Sequence, residues 1–464
     1  MKYLVHAALA LSTLLALPAS AGVLQERQGR WMGDMKLPDG GSLKIGADLF
    51  MRADGTPWAS VASPDQDSYD IPVKGISETP DGMELDFSIA KMQLRWMGDH
   101  FDASFRQGGE VMPLTMTRVA DFPDKARPQS PKGPFPYVEQ TLAIPSAAGV
   151  TLGATLTLPR NKSSGTVVVL VQGSGPQTRD GKMFGHRPFA VLADHLARRG
   201  IAVLRYDKRG IAQSSGDYEQ HTLPDLETDL SAVIKALKTR KQFRRVGIIG
   251  HSEGSKIAAQ VAASEPQSVD FIVSMAGAGL NGLDTLLVQD RVWALDHGAS
   301  PTETDILMVY VRKFYETIIA QPDSVLREAA LKALIAAQAP DIRAMIRKHK
   351  MDQGSLSLGW AARPFIRAGL IADAPATWRK VSCPALVLNG TLDHQVPATE
   401  NVGGMLAALH AGGNRKVESA ILLSLNHAFQ TAKTGREDEY PNIEETIAPA
   451  ALEKIAGFVV RQSR

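Results

Sequence analysis

Short apolar runs alternate with stretches of helical periodicity through the last two thirds of the chain. Runs at 166–171, 201–205, 246–249, 269–275, 384–389 and 420–425 read as strands. The run Thr166–Val171 has no polar face, the pattern of a parallel strand buried on both sides. Apolar residues recur at helical spacing over 225–238, 255–263 and 444–460, and Gly200 stands where a helix ending at Arg198 and Arg199 needs its C-cap. Strands and helices in alternation predict an α/β fold around a mostly parallel sheet.

Two regions break that alternation. Residues 276–383 carry no strong strand signal and are rich in helix formers, as at 331–337. Residues 22–120 are strand-like and hairpin-rich, with a run at 42–51, a turn at Asp54-Gly55 and a second run at 58–62. Arg-Trp-Met-Gly-Asp occurs there twice, at 30–34 and 95–99. The repeat predicts two similar strands meeting around paired tryptophans, in a small all-β N-terminal domain built as a barrel or a sandwich. Pro123, Pro128, Pro131, Pro134 and Pro136 then mark 121–137 as a stiff, proline-rich linker with little fold of its own.

The chemistry concentrates after the apolar runs. Gly250-His251-Ser252-Glu253-Gly254 joins the run at 246–249 to the helical pattern at 255–263. Strand, G-x-S-x-G and helix make a nucleophile elbow, a sharp turn that holds a serine hydroxyl out above a sheet. A turn so tight leaves no room for side chains two residues before and after the serine. A hydroxyl needs a base to take its proton, and the base needs an acid to orient it. Asp393 follows the run at 384–389 and His427 follows the run at 420–425, each just beyond a strand end, where open α/β sheets place their chemistry. His394, beside the acid, is the rival base, but it shares one short loop with Asp393.

A small-residue loop follows the run at 166–171. Backbone N–H groups of Gly173 and Ser174, with that of Glu253 after the nucleophile, are placed to form an oxyanion hole. Phosphate binding is the rival use of such a loop, but neither G-x-x-x-x-G-K-[ST] nor G-x-G-x-x-G is present. Arg179 and Asp180 either pair to orient this loop, or Asp180-Gly181 is only a turn.

Three motifs together carry a resemblance: G-S-G-P-x-x-R-D-G at 173–181, the stretch 204–210 containing Tyr206-Asp207-Lys208-Arg209-Gly210, and G-H-S-E-G at 250–254. The chain resembles α/β-hydrolases over roughly 138–464, and within them the bacterial serine esterases related to serine aminopeptidases. The resemblance implies a helical cap over about 280–378, whose Trp293, Met308, Tyr310, Phe314, Tyr315, Met345 and Trp360 line an acyl or ring pocket or form the cap's own core. It also implies structural roles for Asp207 and Arg209. One position departs from the pattern: Gly-x-Gly-x-Ser is replaced by Gly210-Ile211-Ala212-Gln213-Ser214.

Composition then narrows the setting. Lys2, an apolar stretch to Leu17 and Ala19-Ser20-Ala21 make an export signal over 1–21 with cleavage before Gly22, too short to span a membrane. The expected mature protein is periplasmic or secreted, with no stable membrane anchor. Cys383 is the single cysteine, so no internal disulfide forms. Lys and Arg number 51 against 49 Asp and Glu, without a basic run, which argues against a nucleic-acid partner. No H-E-x-x-H or paired C-x-x-C is present, so neither metal nor cofactor is expected. The leading function is cleavage of a small-molecule carboxylic ester through an acyl-enzyme. A serine peptidase, which would need acids on the insertion to hold a terminal amine, is the alternative; Glu303, Asp305, Glu316, Asp323 and Glu328 are its candidates. A ligand-binding protein with an inert hydrolase half is the third. Nothing in the sequence bears on acyl length or oligomeric state.

Overall fold

The computed structural model describes residues 22–87, 90–123, 127–147, 149–160 and 164–464. The export signal expected over 1–21 lies outside them. Nine antiparallel strands between Gly29 and Val119 form the small all-β unit, hydrogen-bonded in one continuous order and closed around a shared core that includes Trp31, Val61, Leu94 and Leu114. Strands Ser42–Met51 and Pro57–Ser63 form the hairpin expected around Asp54-Gly55. The repeated pentapeptide lies in strand Gly29–Lys36 and at the end of strand Ala90–Trp96. Its tryptophans meet edge to face: the rings of Trp31 and Trp96 are 5.5 Å apart, and both contact Phe101. Such aromatic pairs add about 0.5–1.5 kcal/mol beyond the area they bury.

The second sheet has eight strands, labelled here β1 (Tyr137–Pro145), β2 (Thr151–Pro159), β3 (Thr166–Val171), β4 (Ala202–Tyr206), β5 (Arg245–His251), β6 (Phe271–Met275), β7 (Ala385–Gly390) and β8 (Val417–Leu422). Their order is β1-β2-β4-β3-β5-β6-β7-β8, parallel from β4 to β8. Alternate residues feed two cores. Val167, Val169 and Val171 face helices Leu223–Lys238 and Glu253–Ser264, while Val168 and Leu170 face helices Pro188–Ala197 and Pro449–Gln462. Burial on both faces is why these strands are apolar throughout. Chain reversals at β3–β4 and β5 leave the strands' carboxyl ends open for a site.

Between β6 and β7 the chain is helical, with its longest helices at Gly282–Asp296, Pro301–Ala320 and Ser324–Ala336. Leu307, Val311, Phe314, Tyr315 and Leu331 form a separate core for this insertion. Ser300 and Glu303 make a capping box that starts the second helix.

Three boundaries and segments differ from the sequence pattern. The last strand is Val417–Leu422, three residues earlier than 420–425; it is an edge strand, and Leu423 beyond it is 80% exposed. The closing helix starts at Pro449, not 444, because proline suits the first helical position and residues 437–442 form a 3₁₀ turn. The expected linker is strapped down where described. Arg127 is buried and donates to the carbonyls of Phe184, Pro441 and Ile443, and Gln129 bonds the backbone of Thr446 and Ile447. A guanidinium fork saturates several carbonyls at once, which composition does not reveal.

Candidate active site

Ser252 stands between β5 and helix Glu253–Ser264 with φ 53° and ψ −119°. A non-glycine residue rarely holds positive φ, and the surroundings enforce it. Its N–H donates to the carbonyl of Met275 at 2.8 Å, and its own carbonyl accepts from Ser255 at 3.0 Å. The glycines of the motif are steric necessities. A Cβ on Gly250 would sit 2.3 Å from the Gly254 carbonyl oxygen, and one on Gly254 would sit 2.1 Å from that of Val171.

Asp393 and His427 arrive from the loops after β7 and β8, and the structure brings them together. His427 Nδ1 lies 3.0 Å and 2.9 Å from the two carboxylate oxygens, with both side chains buried. A carboxylate only accepts, so Nδ1 carries the proton and the imidazole lone pair is left on Nε2. The N–H groups of Gln395 and Val396 hold Asp393 Oδ1 at 3.0 and 2.8 Å. His394 turns away from this pair and bonds Asp296 of the insertion at 2.7 Å.

His251 links the elbow to the base loop. Its Nε2 donates to the His427 carbonyl at 2.9 Å, and the two rings lie 4.9 Å apart. Burial, helped by His427, pushes the His251 imidazole down to about 4, so it stays neutral near neutral pH. As the variable position of G-x-S-x-G, it gave no sequence signal of its own.

The glycine loop after β3 packs against the elbow. A Cβ added to Gly173 would lie 3.3 Å from that of Ser252, which places this backbone directly beside the nucleophile. Ser174, Ser252 and Glu253 line one cavity. Glu253 opens its helix, so its N–H has no intrahelical acceptor. Lys208 ties these parts into one unit. Its ammonium lies 2.7 Å from the Gly173 carbonyl, 3.2 Å from that of Gly175 and 2.9 Å from Glu253 Oε2. Burial pushes the Glu253 carboxyl up, but Lys208 outweighs it and holds it below its ordinary value. In sequence Lys208 is flanked by Asp207 and Arg209, and a lysine in such company reads as surface charge until the fold buries it.

The neighbours of Lys208 brace the same loop. Asp207 accepts from Arg179 N and Nε at 2.7 and 3.1 Å and from Gln213 N at 3.1 Å. Arg179 therefore pairs with Asp207 and not with Asp180, whose partner is Arg205. The guanidinium of Arg209 grips both oxygens of Asp229 at 2.8 Å. Ala212 takes φ 45°, a conformation that favours glycine, where the family pattern has glycine.

The cavity at Ser252 has a volume of about 420 Å³ and runs under the helical insertion. Of the seven large side chains expected there, Trp293 and Trp360 line it, whereas Met308, Tyr310, Phe314, Tyr315 and Met345 pack in the insertion's core. None of Glu303, Asp305, Glu316, Asp323 and Glu328 is among its lining residues. Glu303 caps its helix and pairs with Lys348, Asp305 pairs with Arg291, Asp323 caps, and Glu328 pairs with Lys332. The insertion's acid that does reach the cavity is Asp290, bonded by Tyr315 and, at 2.7 Å, by Ser355. Its position on an ordinary amphipathic helix offered no sequence signal. Among the described residues no group of three or more His, Cys, Asp or Glu is arranged to hold a metal ion.

The strand order, the serine elbow and the loop-borne His–Asp pair define an α/β-hydrolase. A family model described as serine aminopeptidase, S33 (Hydrolase_4) matches residues 186–428, just over half of the chain, and the chain belongs to that family. It is 29% identical over 156 residues to esterase EstD of Thermotoga maritima, covering 34% of this chain and 35% of that one. It is 34% identical over 122 residues to an acyl transferase of Photobacterium leiognathi, covering 26% and 36%. The chain thus spans about a third of the length of each of these curated relatives. Among solved structures, the Pyrococcus furiosus esterase Pf2001 superposes with a TM-score of 0.42 at 16% identity, over 71% of this chain and 92% of the other.

Proposed function

We propose that this protein is an exported serine hydrolase that cleaves small carboxylic esters through an acyl-enzyme. The observation that carries the reading is the two-oxygen grip of Asp393 on His427 Nδ1, beside a strained serine elbow that opens into a largely apolar cavity. His427 Nε2 takes the proton of Ser252 as Oγ attacks the ester carbonyl. Asp393 holds the tautomer and stabilises the imidazolium. The oxyanion is met by N–H groups of the Gly173-Ser174 loop and of Glu253. His427 then returns the proton to the departing alcohol, and water releases the acyl group by the reverse steps. The esterase relative EstD supports the ester as substrate, and the ion pairs of Glu303, Asp305 and Glu328 away from the cavity, with Asp290 held by Tyr315 and Ser355, weigh against a clamp for a peptide's terminal amine. The leader composition of 1–21 supports export, so mature protein should begin at Gly22 by mass spectrometry.

The test is a substrate panel with the wild type and Ser252→Ala. Short-chain aryl esters should turn over at least tenfold faster than aminoacyl anilides, about 1.4 kcal/mol in the barrier. Ser252→Ala should abolish turnover with the fold intact, and a serine-directed phosphonate should label Ser252 alone. Comparable anilide cleavage would make the peptidase the function; near-normal turnover by the alanine variant would remove the mechanism.

A further inference from the structure

Lys256 lies in the first turn of helix Glu253–Ser264, which begins immediately after Ser252. Helical side chains lean toward the N-terminus, which directs Lys256 back over the elbow, and it lines the same cavity as Ser252. The cavity wall around it is mostly apolar, with Leu223 and Leu280 among its members.

What sets Lys256 apart is its lack of a partner. Among the described residues it makes no hydrogen bond or ion pair, whereas Lys208 nearby is saturated by three oxygens. Two carboxylates face it. Glu253 is committed to Lys208, and Glu227, on helix Leu223–Lys238, stays beyond ion-pair distance. Asp290 shares the cavity but is held by Tyr315 and Ser355. Burial lowers the Lys256 ammonium below its ordinary value, against the pull of Glu253 and Glu227. A partly buried cation without a counter-ion is costly. An anion arriving with the substrate would supply the missing partner.

We propose that Lys256 forms an anion subsite beside the nucleophile, and that the enzyme acts on esters whose acyl chain ends in a carboxylate. One helical turn rises about 5.4 Å along the axis, so the lysine stem starts about that far from the serine at the helix start. That spacing suits a carboxylate two or three methylenes from the scissile carbonyl, as in half-esters of short dicarboxylic acids. The inference rests on the esterase reading above for its chemistry, but the anion site itself can be measured without turnover.

The experiment compares monomethyl glutarate with methyl pentanoate, equal in acyl length, by acid release in a pH-stat. Wild type should favour the half-ester at least tenfold in kcat/KM. Lys256→Met and Lys256→Glu should each cut that ratio at least tenfold, and Lys256→Arg should keep most of it. A wild type without preference, or a Lys256→Met variant that loses both substrates equally, overturns the proposal. Titration calorimetry with glutarate provides the independent arm: wild type should bind it at least tenfold more tightly than Lys256→Met. If neither ester is hydrolysed, the esterase reading fails alone, and the glutarate titration still decides the subsite; absent or equal binding by the two proteins overturns it.

Discussion

At the scale of single residues, the site depends on side chains that do no chemistry. Lys208 has 4% of its side chain exposed and joins the glycine loop to the first residue of the nucleophile helix. Those are the two segments whose N–H groups meet the oxyanion in the proposed mechanism. Lys208→Met should leave the half-buried Glu253 carboxylate without its ion-pair partner, at a cost of about 1–3 kcal/mol in stability. Because the misalignment acts on the transition state more than on bound substrate, kcat should fall about 10- to 100-fold with KM changed little. Thermal melts and steady-state kinetics separate the two effects; a fall in stability with kcat intact would leave Lys208 a purely structural residue. His427→Ala should abolish turnover while His394→Ala costs far less, since His394 bonds Asp296 and not Asp393. A dead His394→Ala with an active His427→Ala would reverse the proposed base.

At the scale of elements, the insertion is held together through one acid. Asp290 belongs to helix Gly282–Asp296, accepts from Tyr315 of helix Pro301–Ala320, and accepts from Ser355 after the turn Met351–Gln353. Burial pushes its carboxyl up to about 6, while Tyr315 and Ser355 act in the opposite direction. The folded state therefore favours the protonated form. Its stabilising contribution is present below the unfolded value of about 3.8 and is lost as pH rises through about 6. Asp290→Asn, which stays neutral, should gain stability relative to wild type between pH 4 and 6 and hold that gain above it. Melting temperatures of both proteins across pH 4–8 check this, and a constant difference would refute the role of burial.

For the whole molecule, the N-terminal sheet is docked onto the loop that carries Lys208. Arg52, at the hairpin between strands Ser42–Met51 and Pro57–Ser63, donates to the carbonyls of Gly210 and Ala212 at 2.9 and 3.0 Å. Its guanidinium lies 4.5 Å over the Trp58 ring, and Trp58 packs with Ile211 and Tyr218. Lys182 caps the Tyr69 ring at 3.5 Å nearby. Arg52→Ala should weaken this docking by about 2–3 kcal/mol, as expected for lost hydrogen bonds to a charged donor. Calorimetry should show the N-terminal sheet melting earlier than the rest. A single unshifted transition would mean that the docking contributes nothing to stability.

The sequence by itself determined the local chemistry of backbone and burial. Strands buried on both faces must be apolar throughout, so β3, β5, β6 and β7 were legible. An elbow must have small residues around its serine, so Gly250, Ser252 and Gly254 were legible. Asp393 and His427 were placed by their position just after strands, and the tryptophans of the repeated pentapeptide by their identity. The edge strand Val417–Leu422 has no fully buried residue, so its apolar pattern is weak and its bounds were not legible. Tertiary structure alone decided which charges meet. Arg179 pairs with Asp207, Arg127 straps the proline-rich segment, Lys208 spans 45 residues to Glu253, and Lys256 is left without a partner. Periodicity records which face of an element is buried, whereas ion pairs join positions distant in sequence, and a charged residue reads the same whether the fold buries it or leaves it in water.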